Sequence, residues 1–352
     1  MQPAHFGPGL PCIIVTVSIL IGQSLSLYQE HAMKTWLNIA FISLLASFIF
    51  PGCSTNPVTG KSELSLVSTE QEIAIGKQNY SPYRQAQGGD YVVDPGIQKY
   101  VQSIGERLVA VSDRKLPYEF NVINDSSPNA WALPGGKIAV NRGLLVELES
   151  EAELAAVLGH EIVHAAARHT AHSMQRGLLL QGALIASSIA LSDNEYRNLA
   201  LTGAQVGAGM LNQKYGRDAE READYYGMQY MSRAGYDAGK AVDLQKTFVR
   251  LSKDRNQNWL SGLFASHPPS QERVNNNEKT LVELKNPQGE IGEKRYQQKI
   301  ARLIKSKPAY EAYDKAQVAV QKKEYKKALN LMDKAIRIEP KEALFHGMRG
   351  EI

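Results

Sequence analysis

The sequence predicts a mainly helical α+β chain with one small sheet. Three observations predict it. Apolar residues recur at helical spacing over most of the chain after residue 68. Only two stretches, Tyr118–Asn124 and Ala130–Asn141, read as strands. The end of the chain, from Ala309, reads as a helical hairpin.

The bulk numbers suit a folded body. The chain has 352 residues, 43% hydrophobic and 22% charged, enough apolar material for a core without a disulfide staple. The net charge of +4 is uneven: Lys285 to Ile352 carries 16 Lys+Arg against 9 Asp+Glu. A solvated Lys-rich helix face explains that better than a nucleic-acid surface, because no basic–aromatic motif accompanies it. No nucleic-acid partner is expected. Cys12 and Cys53 are the only cysteines and both precede the body, which excludes a disulfide framework and a cysteine nucleophile there.

The N-terminus reads as an address. Lys34 follows Met33, an apolar run extends from Trp36 to Phe50, and Pro51-Gly52-Cys53-Ser54 ends it. These are the parts of a signal peptide, 33–52, and the run is short for a membrane span. Gly52-Cys53 looks like a bacterial lipobox, with Cys53 lipidated. A cleaved soluble protein and an uncleaved anchor are the alternatives. Residues 1–32 read as an over-extended start, with a two-helix membrane hairpin as the other reading. Residues 53–67 are polar and turn-rich and read as a tether.

The body, 68–284, opens with a helix at Ser68, where Thr69 and Glu72 stand at capping-box spacing. Asp94-Pro95 starts a second, with Ile97, Tyr100, Val101, Ile104 and Leu108 on its inner face. The two strand regions follow, the second folded about Pro134-Gly135-Gly136. Ser150 and Glu153 then cap a long helix expected to reach about Met174. Leu178 to Leu191 is apolar but interrupted, and reads as a buried helix or a membrane-dipping lid. Helices from Asp218 to Gly235 and from Ala238 to Lys253 complete the body. Residues 285–308 read as linker or helix. In 309–352, Ala316, Tyr325, Ala328, Ala335 and Pro340 fall at tetratricopeptide (TPR) spacing, giving one repeat and the start of a second. One repeat cannot bury its own face, so it must dock on the body or continue into further repeats.

The chemistry sits in His160-Glu161-Ile162-Val163-His164. Such an HExxH arises by chance in roughly one chain in a hundred of this composition, so it needs support. On a helix, residues four apart share a face, so His160 and His164 can aim at one metal ion. Glu161 lies about 100° round, suited to act on a water without being a ligand. A catalytic zinc takes three protein ligands. The extended form HExxHxxGxxH is absent, because Ala167 and Thr170 fill its last two slots. His169 and His172 lie round the helix and read as exposed polar residues. Downstream, Glu220 and Asp224 stand four apart in "EREAD". One could complete a His₂Glu set and the other accept the N–H of a ligating histidine; alone, the pair reads equally as a solvated face.

HEIVH, then EREAD, then "SHPPSQER", with "NAWALPGGKIAVNRGLL" before them, resemble the HtpX/BepA-like zinc metallopeptidases, relatives of the CaaX prenyl proteases. The likeness runs from about Thr69 to Glu283 and implies a gluzincin-type domain holding one Zn²⁺. It makes Glu220 the third ligand and Asp224 the carboxylate behind a histidine, and leaves Glu222 spare. His267 and Arg273 match the family's His-Pro…Arg element, expected near the metal, where the histidine can cap the zinc. For the oxyanion, the expected support is zinc with His267 or Arg273. The lipobox and TPR-like tail resemble the periplasmic BepA-type branch, though that branch carries several repeats.

The resulting expectation is a zinc endopeptidase with Glu161 as base. Unfolded or misfolded polypeptide would add as a strand along Lys137, Ile138, Ala139, Val140 and Asn141. It would face the periplasm from an outer-membrane lipid anchor, and its TPR-like tail would meet the outer-membrane assembly machinery. The alternative is an assembly chaperone using the same strand and tail, with cleavage secondary. A purely structural zinc site has no use for Glu161.

Overall fold

The computed structural model describes residues 53–177, 179, 215–253 and 261–352. The expected leader, 33–52, and nearly all of the apolar run 178–191 lie outside them.

Residues 54–67 do not trail as a tether. β1 (Cys53–Thr55) and β2 (Ser62–Leu64) form a two-stranded ribbon. The turn between them is closed by buried Asn56, whose Oδ1 accepts from the Val58 and Thr59 N–H groups at 2.9 and 3.1 Å. Its Nδ2 donates to the Ala167 carbonyl at 3.0 Å. That bond ties the ribbon to the body.

α1 (Thr69–Ala86) starts one residue earlier than the expected box. Ser68 caps it, reciprocally with Gln71. Glu72 is thereby free for another task. It is buried against Arg114 at 2.9 Å and Arg168 at 2.5 Å. α2 (Pro95–Val109) follows its reading, capped by Asp94 and burying Ile97, Tyr100, Val101, Ile104 and Leu108.

β3 (Glu119–Ile123), β4 (Ala130–Leu133) and β5 (Lys137–Asn141) form the second sheet, in the order β3-β5-β4. β5 runs parallel to β3 and antiparallel to β4. The β4–β5 turn uses Gly135 and Gly136, both left-handed at φ +74° and +83°, where a Cβ would be strained. This order corrects one expectation. Both sides of Lys137–Asn141 are already paired, so this strand has no free edge to receive a substrate. Among the described residues the edges belong to β3 and β4.

A short helix, α3 (Arg142–Leu145), leads to α4 (Glu151–Ala166), capped by Ser150. Every residue of α4 except His160 is buried. It is the central helix of the body, with α2, the sheet and later helices around it. It is also shorter than expected. The chain turns at Ala167 and Arg168, then resumes as helix over 169–177. Arg168 takes φ +64°, rare for a residue with a Cβ. Glu72, the Val67 carbonyl and Ser54 hold its guanidinium there.

α5 (Arg217–Arg233) crosses α4 at two glycines. A Cβ on Gly159 would lie 3.2 Å from the Gly227 carbonyl, and one on Gly227 would lie 3.1 Å from the His160 nitrogen. That close approach sets Glu220 and Asp224 against the histidines. α6 (Gly239–Ser252), α7 (Ser261–Ser266) and α8 (Gln271–Glu283) complete the body.

Residues 285–308, read as linker or helix, are largely helix. α9 (Glu293–Gln321) runs unbroken through Pro308, so the first helix of the tail begins at Glu293 rather than Ala309. α10 (Tyr325–Ile338) packs on it and α11 (Ala343–Glu351) follows. Tyr296, Ile300, Leu303 and Tyr310 of α9 are buried in the common core. The Tyr296 hydroxyl donates to the Leu145 carbonyl at 2.6 Å, and Arg295 pairs with Glu151 at 2.5 Å. The tail thus docks through its first helix. Among the described residues no helix is long and apolar enough to cross a membrane.

Candidate metal centre

α4 presents His160 and His164 on one face, as their spacing requires. α5 brings Glu220, and the turn after α7 brings His267. Four donor atoms, one each from His160, His164, Glu220 and His267, lie within 4.8 Å of one another. His160 Nε2 is 3.0 Å from His164 Nε2 and 3.2 Å from His267 Nδ1. Glu220 oxygens stand 3.4 Å from both His160 and His164 Nε2, and 3.1 Å from His267 Nδ1. Donors about 2.0–2.2 Å from one zinc in a tetrahedron are roughly 3.3–3.5 Å apart. The donor set therefore fits zinc in chemistry and in spacing, and His160, His164, Glu220 and His267 are the residues that would hold it.

Each ligand has a second contact that fixes it. Asp224 Oδ1 lies 3.0 Å from His160 Nδ1, which keeps the proton there and leaves Nε2 for the metal. Arg273 donates to both Asp224 oxygens at 2.7 Å, from Nε and Nη2. Its Nη1 donates to the Pro268 carbonyl at 3.2 Å and pairs with Glu220 at 2.8 Å. The guanidinium is thus spent on the carboxylates. It aims at them and not at a reacting carbonyl, which corrects the expectation that it supports the oxyanion.

Behind His164 the structure differs from the sequence reading. His169 is 7% exposed, not a surface residue, and its Nδ1 lies 2.9 Å from His164 Nδ1. His169 Nε2 is 3.2 Å from Glu222, which Lys61 pairs with at 2.8 Å. Glu222 is therefore engaged, not spare. His172 is half-buried, 3.2 Å from Glu63. The Arg168 turn rotates His169 inward, a change that an unbroken helix would not allow. Tyr215, which no motif singled out, stacks on His164 with ring centroids 3.8 Å apart. Its hydroxyl meets Thr170 at 2.8 Å.

Charge is tightly balanced. Burial opposes charge on His160, but Glu220 and Asp224 outweigh it and push its pKa up to about 10. Burial holds His164 well below its ordinary value, so it stays neutral. Burial would raise Glu220, yet His267 and His160 hold it well below the carboxylate range. Metal uptake must therefore displace a proton shared by this cluster.

Glu161 faces the same space. It is 2% exposed, and burial pushes its pKa up. Its Oε1 lies 3.4 Å from His267 Nε2. Its Oε2 has no hydrogen-bond partner among the described residues. A cleft opens here, walled by His160, Glu161, His267 and Ala130 of β4.

A profile of peptidase family M48 matches residues 95–281. The chain belongs to this family. The M48 region runs from α2 to α8 and contains the four donors, so the resemblance read from HEIVH and EREAD is borne out. It is a metallopeptidase domain, and its cofactor is zinc. The beta-barrel assembly-enhancing protease of Escherichia coli is 30% identical over 257 residues, 70% of this chain and 51% of that protein. That of Yersinia pestis is 29% identical over 195 residues, 54% of this chain and 40% of that protein. The mitochondrial metalloendopeptidase OMA1 of Schizosaccharomyces pombe is 32% identical over 255 residues, 70% of this chain and 72% of that protein. The chain spans about half the length of the assembly-enhancing proteases it matches.

Proposed function

We propose that this chain is a zinc endopeptidase acting on unfolded or misfolded polypeptides of the bacterial envelope. Glu161 carries the reading. A buried carboxylate with a free oxygen is destabilising, and a metal site that served structure alone would have no use for it. Beside His160, in a cleft wall, it is a base awaiting a proton.

Zinc held by His160, His164 and Glu220 would polarise the scissile carbonyl and acidify a water. Glu161 Oε2 takes the proton of the attacking water and delivers it to the leaving nitrogen as the C–N bond breaks. Asp224 and Arg273 keep His160 and Glu220 in place. His267 stands with the other donors and would cap the metal at rest, in which case turnover would need it to withdraw. An extended substrate fits the outer edge of β4, because Ala130 borders the cleft beside His160. Backbone pairing of that kind favours unfolded chains.

The relatives named for beta-barrel assembly support a role in outer-membrane protein assembly and quality control. We extend this to a periplasm-facing protein, lipidated at Cys53, whose TPR-like tail offers a surface to the assembly machinery. Cleavage of an unfolded protein by the zinc-loaded chain, beside Glu161→Gln, tests the core of the proposal. The variant should keep its zinc and lose activity by about 100-fold or more. Cleavage at the unaltered rate would refute Glu161 as the base.

A further inference from the structure

The residues that the sequence reads as a tether converge on one turn behind the metal centre. Asn56 is 1% exposed, and its Nδ2 donates to the Ala167 carbonyl at 3.0 Å and to the two Glu63 oxygens at 3.1 and 3.0 Å. Arg168 donates from Nη1 to Ser54 Oγ at 3.1 Å and from Nη2 to the Val67 carbonyl. Glu63 lies 3.2 Å from His172 Nε2, and the Leu66 N–H donates to Gln175 Oε1 at 3.1 Å. Lys61 Nζ stands 2.8 Å from Glu222 of α5. Apart from Glu222, these partners of the ribbon all lie between Ala167 and Gln175.

That stretch sets the back of a candidate ligand. Arg168 at φ +64° breaks the course of α4 and turns His169 Nδ1 to within 2.9 Å of His164 Nδ1. A residue with a Cβ keeps such a conformation only where its surroundings over-determine it. Here the surroundings are Glu72 of α1 and the ribbon. The far side of His169 is held in the same way. Its Nε2 meets Glu222 at 3.2 Å, and Lys61 of the ribbon pairs with that carboxylate. The ribbon thus holds both the turn that aims His169 and the carboxylate that receives it. None of its residues lines the cleft, so it acts from behind His164.

We infer that residues 54–67 are a positioning element of the metal centre. Docked on the turn from Ala167 to Gln175, they keep His169 against His164 and so fix the His164 ring for zinc. The inference concerns how zinc would be held and stands apart from the endopeptidase reading.

The test is zinc affinity of the full chain, by chelator competition, with Asn56→Ala, His169→Ala, or both. Asn56→Ala unties the ribbon without touching a donor. It should weaken zinc binding by about 10-fold, the lower end for a lost partner behind a ligating histidine. A ribbon that acts through His169 has nothing left to fix once His169 is replaced. In the His169→Ala background the same change should therefore cost less than about 2-fold. A ribbon that serves the fold alone would give the same loss in both backgrounds. That additivity would overturn the proposal, as would unchanged zinc affinity in Asn56→Ala. If Asn56→Ala fails to fold, Lys61→Ala takes its place. Lys61 is exposed, and the ribbon keeps the backbone bond from the Asn56 N–H to the Lys61 carbonyl at 2.8 Å. The expected loss is then about 2- to 5-fold, absent when His169 is already alanine and restored by Lys61→Arg. No loss in Lys61→Ala, or a loss that persists in His169→Ala, would overturn the proposal equally.

Discussion

His169 Nδ1 lies 2.9 Å from His164 Nδ1, so the second histidine of HEIVH is held by a third. The protons can be assigned from the network. With His164 Nε2 turned to the candidate metal site, its Nδ1 would carry hydrogen and donate to His169. His169 then carries its own hydrogen on Nε2 and donates to Glu222, 3.2 Å away. Lys61 keeps Glu222 ionised: hydrogen bonds from His169 and Lys61 pull the pKa of Glu222 down to about 2. Partners of this kind fix tautomer and ring angle, and their loss costs about 10- to 100-fold in metal affinity. His169→Ala should weaken zinc binding by that factor, measured by chelator competition. Unchanged affinity would make His169 a packing residue only.

How much of this was legible depends on range. His160, His164, Glu220 and Asp224 sit at i,i+4 spacing on two helices, so each pair could be read from the chain itself. His169 could not, because five residues after His164 is the wrong face of a helix. It reaches His164 only because Arg168 adopts a left-handed turn, held by Glu72 from a helix about a hundred residues earlier. The sequence marks Lys137–Asn141 as a strand but not as the central one, since pairing order is set by partners distant in sequence. Residues 285–308 read as linker or helix because charged residues are scattered through them and mask the helical spacing. Tyr296, Ile300 and Leu303 among those charges make the buried stripe of α9.

Arg273 compensates two buried carboxylates, and zinc would share that task at Glu220. Arg273→Ala should therefore cost more stability without metal than with it. Breaking such a buried pair costs about 3–5 kcal/mol. Thermal unfolding in chelator and in zinc should show the larger drop in chelator. Equal drops would mean that Arg273 does not answer to the charge on Glu220.

His267 completes the donor set in this structure, with Nδ1 3.2 Å from His160 Nε2. If it closes the site at rest, His267→Ala should raise basal cleavage several-fold while zinc is retained. A fall in kcat with zinc still bound would assign His267 to the reaction itself.

The junction of tail and body should be acid-sensitive. Hydrogen bonds from Arg295 and Arg107 pull Glu290 down to about 2. Burial works against ionised Glu151, but Arg295, Tyr100 and Tyr236 outweigh it and hold it below its ordinary value. A carboxylate depressed in the folded state stabilises above its unfolded pKa of about 4.3, and that contribution is lost as pH falls towards its folded pKa. Melting temperature should drop between about pH 5 and pH 2, and Glu290→Gln should show a shallower drop. Identical slopes would show that the pairing contributes nothing.

The central claim is that His160, His164 and Glu220 hold one zinc. It is tested most directly by metal content of the purified chain beside Glu220→Gln, by mass spectrometry after equal dialysis. The expected result is one zinc per chain, and a clear loss in the variant. No zinc in the unaltered chain after zinc is offered back, or equal retention by the variant, would contradict the three-ligand site.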